Sequence, residues 1–304
     1  MMRIAITGGT GFIGKKLVQA LLDEGHSVYV LTRSDRSSDS QENLHYVQWL
    51  QNHSYPEKEL EGIDAFYHLA GESIGAKRWT EEQKEKILES RLSTTNEVIR
   101  ILTELEKKPS ALICASAIGY YGHSDHEVFT EESTPSQENF LTTVVKQWEE
   151  ATQRAEELGI RVVSCRLGIV LHPEEGALKK ILLPIRFFIG GPLGKGTQWM
   201  SWIHVEDVIR LFVFVLKDQT ISGPINFTAP EPVKMKTFGK EIAQILNRPF
   251  WLPAPSFALK IALGEMRTLV LDGQKVMANK AFSSDFSYKY TTVREALNDL
   301  LTKQ

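Results

Sequence analysis

Close to its start the chain reads Ile4-Ala5-Ile6-Thr7-Gly8-Gly9-Thr10-Gly11-Phe12-Ile13-Gly14. An apolar run of strand type stops at a cluster of glycines. A helical spacing of apolar residues (Phe12, Ile13, Leu17, Leu21, Leu22) begins at once. A turn that sharp needs backbone angles that a Cβ would penalise. Bare backbone also lets an anion approach closely, and the start of the helix meets it with unpaired N–H groups and a positive dipole end. Gly8, Gly11 and Gly14, placed after a strand and before a helix, therefore read as a cradle for the diphosphate of a dinucleotide.

The rest of the first half repeats the strand–helix alternation. Strands are expected over Arg3–Thr7, Ser27–Thr32, Leu44–Trp49, Ala65–Leu69, Ala111–Ser116 and Arg161–Leu171. Helices are expected over 81–107, where Thr80 and Gln83 form a capping-box pattern, and over about 139–158. Ser34–Asn43 reads as a polar loop beside the dinucleotide. The pattern is that of an α/β chain, a Rossmann-type doubly wound parallel sheet. After Leu171 the alternation loosens, and from Gly223 on short strands, loops and helices suggest a smaller C-terminal α/β lobe over the carboxyl ends of the strands. The division expected is residues 1–172 for the dinucleotide domain and 173–304 for the substrate lobe, with the helix at about 205–218 returning to the first.

Composition narrows the function classes. The chain has 304 residues, 42% hydrophobic and 24% charged, and a net charge of −3. That suffices for a real core, and with no basic run nothing points to nucleic acid. No apolar stretch approaches the ~20 residues of a membrane span, so no membrane partner is expected. The N-terminus runs straight into the first strand, which leaves no room for a signal peptide. Cys114 and Cys165 lie in apolar strand-like runs and read as buried thiols of a cytoplasmic protein. No His/Cys cluster has metal-ligand spacing, so no metal is expected.

The second strand ends in Leu31-Thr32-Arg33, nineteen positions after Gly14. An acidic residue there would suit the ribose of NAD; an arginine suits a 2′-phosphate. Charge-assisted bonds from Arg33 are worth about 1.5–3 kcal/mol, or roughly tenfold to a hundredfold in favour of NADP(H). Arg36 could assist and Asp35 oppose.

Further segments carry a resemblance: His68-Leu69-Ala70-Gly71-Glu72, Tyr121-Gly122, Trp202-Ile203-His204-Val205-Glu206-Asp207-Val208 and Gly223-Pro224-Ile225-Asn226-Phe227. With the glycine turn they resemble the extended short-chain dehydrogenase/reductase superfamily. Arg78-Trp79, Ser90-Arg91-Leu92, Gly119-Tyr120-Tyr121-Gly122, Gly190-Gly191-Pro192-Leu193-Gly194 and Gly264-Glu265-Met266 with Gly273-Gln274-Lys275-Val276 are similar to its atypical NAD-dependent epimerase/dehydratase-like branch, the epimerase family proteins, which carry a characteristic C-terminal domain. The resemblance spans essentially the whole chain and implies NADP(H) as cofactor. It implies contacts from Gly8, Thr10, Gly11, Phe12, Ile13 and Gly14 at the turn, Thr32 and Arg33 at the adenosine ribose phosphate, and Leu69, Ala70 and Gly71 along the cofactor. Arg91 would lie beside it and Val170 near the nicotinamide end.

The superfamily's usual Ser, Tyr and Lys set is incomplete. No Tyr-x-x-x-Lys follows the fifth strand; counting back from Glu149 and Glu150 puts Thr142 and Lys146 at those places. A threonine hydroxyl is a poor acid near neutrality. The usual serine falls on Ala117, one residue after Ser116. The catalytic set expected is Ser116, Tyr121 and Lys146, with Tyr120, Glu72 and His204 as other proton donors. The expected activity is that of an NADP(H)-binding oxidoreductase or epimerase-like protein acting on an unknown small carbonyl or sugar-like substrate. The alternative is a non-catalytic NADPH-binding redox sensor or regulatory protein. Helices around 88–105 and 141–158 match those that pair in superfamily dimers, which leaves a homodimer open.

Overall fold

In a computed structural model describing residues 1–34 and 36–302, the first five strands are β1 (Arg3–Thr7), β2 (Ser27–Thr32), β3 (Leu44–Gln48), β4 (Ala65–His68) and β5 (Ala111–Ala117). With Arg161–Leu167 and Gly223–Phe227 they form one seven-stranded sheet. Its order is Gly223–Phe227, Arg161–Leu167, β5, β4, β1, β2, β3, and every pairing is parallel. The chain winds outward in both directions from the β1–β4 pair, so the carboxyl ends of these two strands flank a crevice where such sheets take their ligands.

A parallel sheet covered on both faces needs strands that are apolar throughout rather than alternating. Ile4 and Ile6 of β1 join Leu17, Val208 and Phe212 on one side; Ala5 joins Phe66, Leu102 and Leu112 on the other. The helix Phe12–Asp23 and the helix Val205–Lys217 cover the first face, and the helix Glu81–Glu104 covers the second. Thr80 caps this last helix by accepting from the Gln83 N–H at 3.2 Å. Asn139 does the same for Phe140–Gln153, accepting from the Thr142 N–H at 3.0 Å. A 3-10 segment, Arg154–Leu158, completes the stretch read from sequence as one helix.

Two features differ from the sequence reading. The apolar run 161–171 is not one strand: it breaks at Gly168, whose N–H turns to the Phe227 carbonyl at 3.0 Å and where a Cβ would come within 2.5 Å of the Ser201 oxygen. Ile169–Leu171 then leaves the sheet to pair with Trp202–His204. The stretch Gly223–Phe227, assigned to the tail, instead forms the sheet's edge beside Arg161–Leu167. Apolarity alone cannot say where a strand changes partners. A separate core around Leu182, Trp202, Phe238 and Leu297 holds the C-terminal elements together, while Ala278, Ala281 and Phe286 pack back against the main sheet.

Cys114 and Cys165 are buried free thiols, and burial pushes both well above the ordinary thiol range. No helix among the described residues is long and apolar enough to cross a membrane. Among the same residues, no group of three or more His, Cys, Asp or Glu side chains could hold a metal.

Candidate dinucleotide and active site

Each glycine of the first turn has its own steric reason. Gly8 takes φ +71°, and a Cβ there would sit 2.7 Å from the Leu69 carbonyl carbon, so β1 and β4 close up only around a glycine. A Cβ on Gly14 would overlap the Gly8 carbonyl oxygen, so the helix packs down on the strand end. Gly9 is packed too: a Cβ there would lie 2.9 Å from Val30 Cγ1. Gly11 is different. Its N–H closes the turn onto Gly8 O at 3.0 Å, and only that oxygen lies near the place a Cβ would take, at 3.2 Å. No side chain caps the helix and its first turn has no acid. Among the described residues the N–H groups of Phe12 and Ile13 have no acceptor. A helix start with spare donors, an approachable glycine and no carboxylate fits a diphosphate.

At the end of β2, Thr32 is half-buried and accepts from the Ser34 N–H at 3.3 Å, while Arg33 is exposed. Arg36 is already engaged: its Nε donates to Asp39 at 2.8 Å and its guanidinium stacks 4.4 Å from the Tyr46 ring centroid. Arg33, unlike Arg36, has no side-chain partner among the described residues. Asp35, weighed against it in the sequence, lies outside the described residues.

The end of β4 is stitched to β1 by one hydroxyl. Thr7 Oγ1 accepts from the N–H groups of Leu69 (3.2 Å) and Ala70 (3.3 Å) and pairs with His68 Nδ1 at 2.8 Å. His68 Nε2 meets Thr95 Oγ1 at 3.0 Å. Burial and, less strongly, the Arg91 charge lower the His68 pKa to about 3, so the ring is neutral. Gly71 follows, with Arg91 across it: a Cβ on Gly71 would lie 3.4 Å from Arg91 Cγ. The guanidinium donates to the carbonyls of Glu72 (3.0 Å) and Ile87 (2.9 Å) and lies 5.0 Å from the Trp148 ring centroid. Burial pulls Arg91 down to about 10, so it carries its charge at neutral pH. The Trp148 indole N–H is buried with no acceptor among the described residues. Arg91 stands beside Gly71, and Trp148 beside His68.

The end of β5 holds a network that sequence reasoning missed. The Ser116 hydroxyl donates to Glu149 Oε1 at 2.5 Å. Arg166 grips the same carboxylate twice, Nε to Oε1 at 2.9 Å and Nη2 to Oε2 at 2.7 Å. Its Nη1 donates to the Tyr121 oxygen at 3.0 Å, and Tyr121 donates to Asn226 Oδ1 at 2.8 Å. Burial would pull the guanidinium down, but the bonds and charge of Glu149 outweigh it. The signal was present in Val162-Val163-Ser164-Cys165-Arg166-Leu167: a cation inside an apolar strand must find a buried anion.

Of the expected set, Ser116 and Tyr121 join the same network through Glu149 and Arg166, while Lys146 bonds elsewhere. Tyr121 is fully buried, its hydroxyl has both its roles taken, and burial pushes it up to about 12. Lys146 reaches outward to Glu138, whose hydrogen bond is the main cause of its raised pKa; Tyr120 adds a smaller push. Thr142 is buried and donates weakly to the Gly119 carbonyl at 3.4 Å. Tyr120 is half-buried, its ring stacked 3.4 Å from the Arg166 guanidinium. His204 caps the helix Val205–Lys217, its Nδ1 accepting from the Glu206 N–H at 3.1 Å, a structural role. Val170 is half-buried and paired with Ile203. Thr10 is exposed on the turn, and Phe12 packs against His172 at 5.2 Å between ring centroids.

Comparison with known proteins agrees with this architecture. The profile of the NAD dependent epimerase/dehydratase family matches residues 4–227, and that of a domain of unknown function, DUF1731, matches residues 254–300. The epimerase family protein YfhF of Bacillus subtilis is 47% identical over 300 residues, covering 99% of this chain and 98% of its own. A Staphylococcus aureus epimerase family protein is 39% identical with both chains fully covered. The crystal structure of human epimerase family protein SDR39U1 (isoform 2) with NADPH superposes with a TM-score of 0.88, at 29% identity and with both chains fully covered. A UDP-glucuronic acid 4-epimerase from Bacillus cereus, at 18% identity and a TM-score of 0.78 over 99% of each chain, shares the fold.

Proposed function

The chain belongs to the NAD dependent epimerase/dehydratase family, and from that premise we propose that it is an NADP(H)-dependent oxidoreductase or epimerase-like enzyme acting on a small carbonyl or sugar-like substrate. The observation that carries the reading is the first turn, at the end of β1, where Gly11 is approachable and the amides of Phe12 and Ile13 are spare. Thr32 and Arg33 would hold the adenosine ribose phosphate, Leu69–Gly71 and Arg91 would line the cofactor, and Val170 would stand near its nicotinamide. The human relative was crystallised with NADPH, and exposed Arg33 supports the same preference here.

When bound, the cofactor supplies or accepts a hydride. This chain must then supply a proton donor and a hold on the substrate oxygen. Tyr120 is the side chain we assign as donor: it is half-buried and its ring is stacked on the Arg166 guanidinium, which holds the carboxylate that Ser116 bonds. Ser116 has committed its proton to Glu149, so it presents lone pairs and serves as an acceptor that orients a substrate hydroxyl. Tyr121 holds Arg166 in place.

One observation favours a second reading, a non-catalytic NADPH sensor: Ser116, Tyr121 and Lys146 point to different partners. Fluorescence titration with NADPH and NADH, followed by NADPH oxidation across aldehydes, ketones, quinones and nucleotide sugars, separates the two. Turnover that falls in Tyr120→Phe with NADPH binding intact supports the enzyme. Tight NADPH binding without turnover of any substrate class would replace it with the sensor.

A further inference from the structure

The C-terminal elements expose a set of large apolar side chains that the dinucleotide site does not use. The helix Ser256–Leu263 buries none of its residues, and Phe257 and Ile261, one turn apart, are 70% and 73% exposed. Phe187, Phe188 and Ile189 follow the helix Gly176–Arg186 and are each more than half exposed, as is Trp251. These belong to one surface. The Trp251 indole N–H donates to the Phe188 carbonyl at 3.1 Å, and the backbone N–H groups of Trp251 and Leu252 both donate to Gly190 O. Leu193 bridges to Ala254, and a Cβ on Gly194 would lie 3.0 Å from Ser256 Oγ, which joins the loop to the start of the Phe257 helix. Large exposed apolar side chains gathered on segments joined in this way mark an interaction site.

Its charge says what kind. From Gly176 to Met200 and from Ile242 to Gly264 the sequence has no acidic residue but has Lys179, Lys180, Arg186, Lys195, Arg248 and Lys260, in a chain whose net charge is −3. Arg248 lies over the Phe188 ring, 4.5 Å from its centroid. Glu174 and Glu175 stand at the opposite end of the helix from Arg186, about 16 Å away at 1.5 Å per residue. A second copy docked through this face about a two-fold axis would set these cations against their own images, which disfavours self-pairing. Exposed aromatic and aliphatic side chains on segments that carry lysine and arginine, with Arg248 stacked on Phe188, suit an interface that is apolar within and anionic at its rim.

We infer that this surface, built from the 186–190 loop, Trp251 and the Phe257–Ile261 face, docks the protein on a bilayer bearing anionic lipid. The expectation of no membrane partner rested on span length, which does not bear on surface docking. Flotation of the full chain with phosphatidylcholine vesicles carrying phosphatidylglycerol, against phosphatidylcholine alone, tests it. The chain should float with the anionic vesicles and do so less as salt rises. Phe257→Asp combined with Ile261→Asp should lower the bound fraction by about tenfold with an unchanged circular-dichroism melt. Arg248→Gln with Lys260→Gln should weaken binding to the anionic vesicles alone. Several outcomes overturn the inference: no flotation, equal flotation with both vesicles, flotation indifferent to these variants, or a dimer by light scattering that the Asp variants dissolve.

Discussion

Ser116 and Glu149 meet at the end of β5, the serine hydroxyl donating to the carboxylate at 2.5 Å while Arg166 holds both oxygens of that carboxylate. All three side chains are buried, so the anion is compensated almost entirely by one guanidinium. Removing one partner of such a pair leaves an unpaired charge in the interior.

Glu149→Gln is accordingly expected to destabilise the fold by about 3–5 kcal/mol. Ser116→Ala, which removes a single hydrogen bond from a carboxylate still held by Arg166, should cost about 1–2 kcal/mol. Urea unfolding of the two variants measures the difference. Equal losses would mean that Arg166 is not the main partner of Glu149.

The two neighbouring tyrosines should separate chemistry from stability. Tyr121→Phe leaves Arg166 and Asn226 each short of a partner and should lower stability by about 1–3 kcal/mol. Tyr120→Phe should leave the melting temperature within error and reduce turnover by about a hundredfold, in the range of a lost general acid. Thermal melts and steady-state rates on whichever substrate the panel yields check both. A Tyr121→Phe variant that keeps its stability and loses turnover would restore the expected Ser116–Tyr121 set.

Cofactor recognition divides into a steric part and an ionic part. Gly14→Ala pushes the helix away from the Gly8 carbonyl and should abolish binding of NADPH and NADH alike. Arg33→Ala should weaken NADPH by roughly tenfold to a hundredfold and leave NADH unchanged. Parallel fluorescence titrations read both, and an Arg33→Ala variant that loses the two cofactors equally would refute the assignment of the 2′-phosphate.

His68 makes a prediction about pH. Its folded pKa is lowered to about 3, from an ordinary value near 6.5. As pH falls below 6.5 the unfolded chain takes up a proton that the folded chain refuses, so stability is lost, by at most about 1.4 kcal/mol per pH unit. Above 6.5 this group contributes no slope. Urea midpoints should therefore fall between pH 6.5 and 5 in the natural protein and fall less in His68→Asn. Parallel slopes for the two proteins would show that another group governs the acid limb.

Much of the frame was legible because it rests on local rules. Strand endings at Thr7 and Thr32 and the cap Thr80 follow from periodicity, glycine conformation and capping, which act within a few residues. The approach of Gly14 to Gly8 is equally local.

The sequence by itself determined the parallel α/β frame and the tight glycine turn at its first strand, since both are written in contacts between near neighbours. Only the tertiary structure decided that Gly223–Phe227 completes the sheet, that the 161–171 run breaks at Gly168, and that Ser116 belongs to Glu149 and Arg166 rather than to Tyr121 and Lys146. Glu149 lies 33 residues from Ser116 and 17 from Arg166. Periodicity shows that a charge such as Arg166 is buried; which distant side chain compensates it depends on how the whole sheet is wound.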